Sequence, residues 1–366
     1  MHITYTTKLI FHDNDKIKIF DMLRAYQKCW NECSQVKFGI AKNSIIDLHR
    51  AFYKDYRNNN NFPAQLIIRA QHSVISAYKT IKSNKHKINS PPILKKLSIR
   101  LDKRCYSYKN QILSLKTLEK RVKCQIYQYS KLSEYFTKYR FCDPLIFEKN
   151  GEIYIDLTFD VPKILSQNKS CVGVDLGIRI PAATSEGNIY IAKHFNKRKR
   201  QIRYLKSKLK SKGTRSARKH LAKIGKKEQN LNKNFVHNLT KKIITDTKAD
   251  TIVLENLKFD RTKAKFKKSN KLSQSCFYKI REVLTYKAPL LGDKTVITVS
   301  PAFTSQIDSF TKKKDGMRKG RRYYSTSGKV FDADCNAANN IALKANLPVS
   351  PFYGNYGQVT VTRLNV

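Results

Sequence analysis

The stretch Cys171-Val172-Gly173-Val174-Asp175-Leu176-Gly177 decides how this 366-residue chain reads. Small and β-branched residues run through it as in a half-buried strand, which then delivers a carboxylate just ahead of a glycine. A glycine there lets the chain turn sharply and leaves Asp175 exposed at a strand end, where chemistry usually sits. Two further acids stand in comparable settings. Glu255 ends the apolar run Thr251-Ile252-Val253-Leu254, and Asp334 opens the alanine-rich run from Cys335 to Ala345. Singly, each reads as a turn or surface acid. Three on three element ends of a very basic chain point to metal-dependent phosphodiester chemistry on nucleic acid.

In-line cleavage of a phosphodiester needs an activated water on one side and a stabilised leaving oxygen on the other. Two Mg²⁺ ions roughly 4 Å apart supply both, with Mn²⁺ as a substitute, and converging carboxylates are the hard oxygen ligands that hold them. Asp175 is expected to bridge the ions, with Glu255 and Asp334 completing the cage. Asp332 competes with Asp334 for the third place, and position alone leaves that choice open.

The formal charge of +46 demands a polyanionic partner, because an excess of this size repels itself. It is concentrated between Asn196 and Lys233, where sixteen Lys and Arg face one acid, Glu228. A solvated helical pair is the plain alternative. We read a basic helical arm that grips a nucleic-acid backbone through Lys197, Arg198, Arg200, Arg203, Lys210, Lys212, Arg215, Arg218 and Lys219. The eight cysteines form no CxxC pair, no secretory signal is visible, and no apolar run approaches the ~18 residues of a membrane span. A cytoplasmic protein with reduced thiols is expected, with no membrane contact and no obligate protein partner evident.

Periodicity divides the chain. Residues 2–10 alternate as a strand; helices are expected near 14–33, 44–57 and from Pro63 onward, with Trp30 in the core. From about 93 the period changes to that of strands, and Asn150-Gly151 between Leu145–Lys149 and Glu152–Phe159 is a strong hairpin signal. Tyr106, Tyr108, Tyr127 and Tyr129 among basic outward faces suit RNA contact, although strand tyrosines more often pack. Residues 162–170 read as a linker. Three antiparallel strands, helix, and a strand ending in an acid then follow the order of a ribonuclease-H-like fold. Residues 258–271 read as a mobile loop, 304–331 as an irregular one, and 347–366 as a poorly ordered tail.

Gly173-Val174-Asp175-Leu176-Gly177, Val253-Leu254-Glu255-Asn256-Leu257 and Asp334-Cys335-Asn336-Ala337-Ala338-Asn339-Asn340-Ile341 resemble the three RuvC motifs of the TnpB family, the RNA-guided nucleases of insertion sequences related to compact type V CRISPR effectors. Tyr286-Lys287-Ala288 and Thr304-Ser305-Gln306 also match the family pattern. The resemblance makes Asp334, rather than Asp332, the third acid. It implies an α+β multidomain fold: an antiparallel wedge β-barrel (1–11 plus 92–165) interrupted by a helical recognition lobe (12–91), then an RNase-H-like RuvC nuclease domain (166–303 plus 332–346). It further implies a guide RNA transcribed from the same element, a double-stranded DNA target beside a short adjacent motif, and action on the prokaryotic nucleoid. A CRISPR effector, a non-cleaving RNA-guided DNA binder and a DNA-strand transposase are the rival readings.

One departure stands out. Where the family carries a zinc ribbon beginning Thr-Ser-Gln-x-Cys-x-x-Cys, this chain has Asp308 and Thr311, and the second cysteine pair is replaced near Tyr324 and Ser327. No soft-ligand quartet survives, so no structural zinc is expected in the 304–331 insert, and packing of Phe310, Tyr323 and Tyr324 is expected to hold it instead.

Overall fold

The computed structural model describes residues 1–41, 44–60, 62–109, 111–127, 130–162, 170–177, 179–257 and 271–364. The chain divides into two units, Met1–Pro162 and Lys163–Val366. Most of the expected linker at 162–170 and of the expected loop at 258–271 lies outside the described residues, as does Tyr129.

The first unit opens with β1 (His2–Ile10) and three helices, α1 (Asp13–Phe38), α2 (Ile45–Asn60) and α3 (Ala64–Ser83). Their apolar stripes face one another: Leu23, Cys29, Trp30 and Cys33 of α1 are buried, as are Leu66, Ala70 and Val74 of α3. The Trp30 indole donates to Ser73 Oγ at 3.0 Å, so this ring is spent on packing. After the helices come β2 (Ser98–Arg100), β3 (Tyr106–Lys109), β4 (Ile112–Lys116), β5 (Arg121–Ile126), α4 (Ser130–Lys138), β6 (Arg140–Phe141), β7 (Leu145–Lys149) and β8 (Glu152–Asp160). Period-two alternation sets the faces: Ile153, Ile155, Leu157 and Phe159 of β8 are fully buried between half-buried neighbours. Asn150 and Gly151 adopt φ of 55° and 74°, the two left-handed residues that a tight hairpin turn requires.

β1 returns to the middle of the resulting sheet, pairing antiparallel with β8 from His2↔Asp160 to Lys8↔Tyr154 and with β5 at Leu9↔Ile126. The strand path β2-β7-β8-β1-β5-β4-β3 is open, with β6 attached to β8, so the expected closed barrel is not what these residues form. The end strands are only three and four residues long and no ladder joins them. Apolar burial is met instead by α4, whose Tyr135 and Phe136 pack on Tyr5, Tyr108 and Phe159. Tyr106 is buried and Tyr108 stacks on Phe136 at 4.1 Å, so both are packing residues, whereas Tyr127 is exposed.

The second unit contains β9 (Cys171–Asp175), β10 (Ala182–Thr184), β11 (Asn188–Ile191), α5 (Lys193–Lys212), α6 (Arg215–Asp246), β12 (Thr251–Glu255), α7 (Lys271–Leu291) and β13 (Thr295–Val299). It ends with β14 (Met317–Lys319), β15 (Arg322–Tyr324), β16 (Val330–Asp332), α8 (Ala333–Leu343) and β17 (Thr360–Arg363). The main sheet has the order β13-β12-β9-β10-β11-β17. β9, β12 and β13 run parallel at one side, and β10 is antiparallel to β9 and β11. α6 is one continuous helix that runs from the basic arm into the apolar stretch before β12; Ile224, Glu228, Phe235, Leu239 and Ile243 keep a single buried stripe along it.

Two segments are more ordered than their sequence implied. Residues 317–332 form a three-stranded antiparallel sheet, β14-β15-β16, where an irregular loop was expected. The expected disordered tail supplies β17, which pairs parallel with β11 from Asn188↔Thr360 to Ile191↔Arg363, and Leu364 is buried in the core. An otherwise open edge of the main sheet supplies the hydrogen bonds that the polar tail lacks by itself.

Gly173 sets the closest approach in this unit. A Cβ built there would lie 2.0 Å from the Ala338 carbonyl oxygen and 2.6 Å from the Ala342 nitrogen of α8. Gly173→Ala should therefore lower stability by roughly 1–3 kcal/mol or more, because backbone, not a flexible side chain, must give way. A urea titration checks this; an unchanged midpoint would show that α8 moves freely against β9.

Candidate active site

Parallel pairing puts two of the acids in step. Thr251↔Cys171 through Leu254↔Val174 align β12 with β9, so Glu255 and Asp175 are the next residues on adjacent strands at the same sheet end. Gly177 serves the turn after Asp175 by permitting close approach: a Cβ there would lie 2.6 Å from the Ile180 carbonyl oxygen. The third acid arrives from α8, which packs on β9 through Gly173. Asp332 accepts from the backbone nitrogens of Asp334 and Cys335 and so caps α8, while its other oxygen takes Arg321 at 2.9 Å. Asp332 is thereby committed to structure, and Asp334 projects from the helix's first turn.

All three acids are half-buried rather than freely exposed at element ends. Desolvation raises the Asp175 carboxyl from its ordinary value near 3.8 to about 7, with the charges of Asp334 and Glu255 adding to the rise. Asp334 is also raised by burial, against the pull of Arg318. Asp175 thus lies close enough to both other acids to feel their charge.

Two of them are held by neighbours from the 304–331 segment. Arg318 Nη2 donates to Asp334 Oδ1 at 2.8 Å, and the buried Thr304 hydroxyl donates to Glu255 Oε1. With these partners in place, no three His, Cys, Asp or Glu side chains among the described residues converge closely enough to hold a metal ion.

The asparagines that follow Asp334 tie this arrangement together, a role their motif did not disclose. Asn336 accepts from Ser309 N at 2.9 Å and donates to Ile307 O; Asn340 donates to Thr304 O at 2.9 Å; Asn339 donates to Phe352 O at 3.0 Å. Polar side chains buried in an alanine-rich helix are the sequence signal that could have revealed it. The insert beyond is held by Asp308, which accepts from Phe310 N and Thr311 N, and by Asp315, which accepts from the hydroxyls of Thr311 and Thr326 at 3.0 and 2.9 Å. Phe310 and Tyr323 pack with Phe331 and Tyr353 as aromatic support; Tyr324 lies outside that cluster.

On the basic hairpin the structure separates two kinds of cation. Lys199 and Lys206 turn inward onto Glu228, the segment's one acid, and join α5 to α6. Lys197, Arg198, Arg200, Arg203, Lys210, Lys212, Arg215, Arg218 and Lys219 are all exposed, and none is in an ion pair among the described residues. Tyr204 is exposed beside them, with Lys208 Nζ 5.9 Å from its ring centroid.

The Asp175 carboxyl titrates higher folded than unfolded, so its contribution to stability is complete below the unfolded value and is lost as pH rises through about 7. In chelator-treated protein, Asp175→Asn should match wild type near pH 4 and exceed it in unfolding midpoint near pH 8; equal midpoints across that range would contradict the burial. For the hairpin, each phosphate contact adds roughly 0.7–0.9 to the slope of log K against log salt. Replacing Arg198, Arg200 and Arg203 by Gln should flatten that slope by about 2, measured by filter binding on single-stranded nucleic acid, and an unchanged slope would place the contacts elsewhere.

Comparison with known proteins places these features. Residues 155–265, which include Asp175 and Glu255, match the family model OrfB_IS605, described as a probable transposase. Residues 277–341, which include Arg318 and Asp334, match the Cas12f1-like TNB domain. No curated protein matches the chain. Among solved structures, a Cas12f1-sgRNA-target DNA complex aligns over 91% of this chain and 83% of that one, with 17% identity and a TM-score of 0.57. CasPhi-2 (Cas12j) bound to crRNA aligns over 94% of this chain and 98% of that one, with 10% identity and a TM-score of 0.56. The two matched stretches follow one another along the chain and together hold all three acids.

Proposed function

We propose that this protein is an RNA-guided DNA endonuclease whose cutting site is built from Asp175, Glu255 and Asp334. One observation carries the reading: two acids stand in step on adjacent parallel strands, a third comes from a helix packed on the same strand, and Asp175 feels the charge of both others. The strand order of the second unit fits an RNase-H-like RuvC domain over 166–303 and 332–346, interrupted by the insert. In this reading the wedge spans 1–11 and 92–165 and the recognition lobe 12–91, in keeping with the strands and helices described for the first unit.

The donor set fits Mg²⁺ or Mn²⁺. Carboxylate oxygens are hard ligands, and a divalent cation would favour the ionised form of Asp175, which burial and the charges of Asp334 and Glu255 disfavour. Such ions, when held by these acids, would supply an activated water and charge stabilisation at the leaving oxygen. The protein's part is to place the acids and keep them dry. Thr304 orients Glu255, the Asp332 cap fixes the α8 turn that carries Asp334, and the exposed cations of α5 and α6 hold phosphates. Sequence would be read by pairing between a guide RNA, transcribed from the same element, and the target DNA beside a short motif, as in complexes of this general kind.

The test is to express the protein with its native flanking DNA, sequence the RNA that copurifies, and assay DNA cleavage with Mg²⁺ for wild type and Asp175→Ala. One discrete RNA with a guide-like end is expected, and cleavage should fall by roughly a thousandfold or more in the variant while RNA binding persists. A heterogeneous mixture of cellular RNA would favour an unguided nuclease or transposase, and equal cutting by both proteins would sink the site.

A further inference from the structure

The ion pair on Asp334 differs in kind from the pair beside it. Arg321 binds Asp332, a fully buried acid that also caps a helix, so that contact is fixed in the fold. Arg318 binds Asp334 from the exposed strand β14, and its Nε donates to Gly320 O at 3.2 Å, so the guanidinium is oriented from two sides. The Arg318 side chain is 39% exposed and that of Asp334 17% exposed, which leaves the guanidinium open to solvent while it covers the acid. Among the described residues, Arg318 makes the only hydrogen bond to the Asp334 carboxylate.

We propose that Arg318 is a positioning residue that keeps the cation site closed until a nucleic-acid strand arrives. The inference rests on the reading that the acids hold divalent cations. The guanidinium on Asp334 Oδ1 disfavours a cation on the same carboxylate, since two positive groups would then lie side by side. A phosphodiester is the natural exchange partner, because guanidinium groups bind phosphate and carboxylate with the same planar fork. With Arg318 on the strand's phosphate, the Asp334 carboxylate would be free to help hold a divalent cation. Cation and strand then favour each other's binding by the same factor, as linkage requires.

The experiment measures Mn²⁺ binding by loss of the free-ion resonance signal, on full-length protein stripped of nucleic acid, with and without a short single-stranded DNA. Wild type, Arg318→Gln, Lys319→Gln and Asp175→Asn are compared. Lys319→Gln removes the same charge from the neighbouring residue without touching the pair. Without DNA, Arg318→Gln should bind Mn²⁺ about tenfold more tightly than wild type, and Lys319→Gln should not. DNA should tighten wild type about tenfold and Arg318→Gln little. Equal binding by wild type and Arg318→Gln without DNA, or an equal gain from Lys319→Gln, overturns the proposal. Should wild type bind no more Mn²⁺ than Asp175→Asn even with DNA, the cation reading falls and the proposal with it. That result is distinct from failure of the closure alone, in which wild type binds Mn²⁺ tightly without DNA.

Discussion

The close contact of α8 with β9 is the constraint on which the second unit depends. It exists because position 173 has no side chain and because α8 presents Ala338 and Ala342 at the crossing. A helix that sits this low on a sheet brings its first turn level with the strand end. Asp334 consequently reaches the environment of Asp175, and parallel pairing in register adds Glu255. Burial raises the Asp175 carboxyl, and the charges of Asp334 and Glu255 add to the rise. Arg318 and Thr304 each neutralise or orient one of the other two acids.

Those two residues come from the same insert, and α8 holds the insert's first turn through its asparagines. Acids and insert therefore form one hydrogen-bonded assembly. Its outer part is drawn together by Asp315, which links the stretch around Thr311 to the stretch around Thr326, and by an aromatic cluster around Tyr323. Carboxylate-to-hydroxyl contacts stand where the family pattern would place thiolates. On the helical hairpin a single buried acid, Glu228, plays a comparable organising part: it ties two lysines inward and leaves the rest of the charge facing outward.

Much of this was legible in the residues. Period-two runs located β5 and β8, Asn150-Gly151 marked the hairpin between β7 and β8, and the three acid-bearing ends were identifiable one by one. The elements that escaped share a property. β14, β15 and β16 have three residues each, too few to show a period, and α4 is a nine-residue helix whose aromatic packing supports it. β17 is a polar strand that needs the edge of β11 to exist. The open first sheet was missed for a related reason, since alternation predicts strands and faces but not whether the outermost strands meet.

The sequence alone singled out the three acids and marked where many elements end, because turn residues, hydrophobic period and charge density act over a few neighbouring positions. It also fixed the net charge of +46, a property of composition that favours polyanionic partners. Only the tertiary structure decided what each of those residues touches. Asp332 and Asp334 are two positions apart, yet one caps a helix and the other faces Arg318; Lys206 and Lys210 share a helix, yet one is bound to Glu228 and the other is free in solvent. Such distinctions depend on partners far away in the chain, and only folding brings those partners within hydrogen-bonding distance.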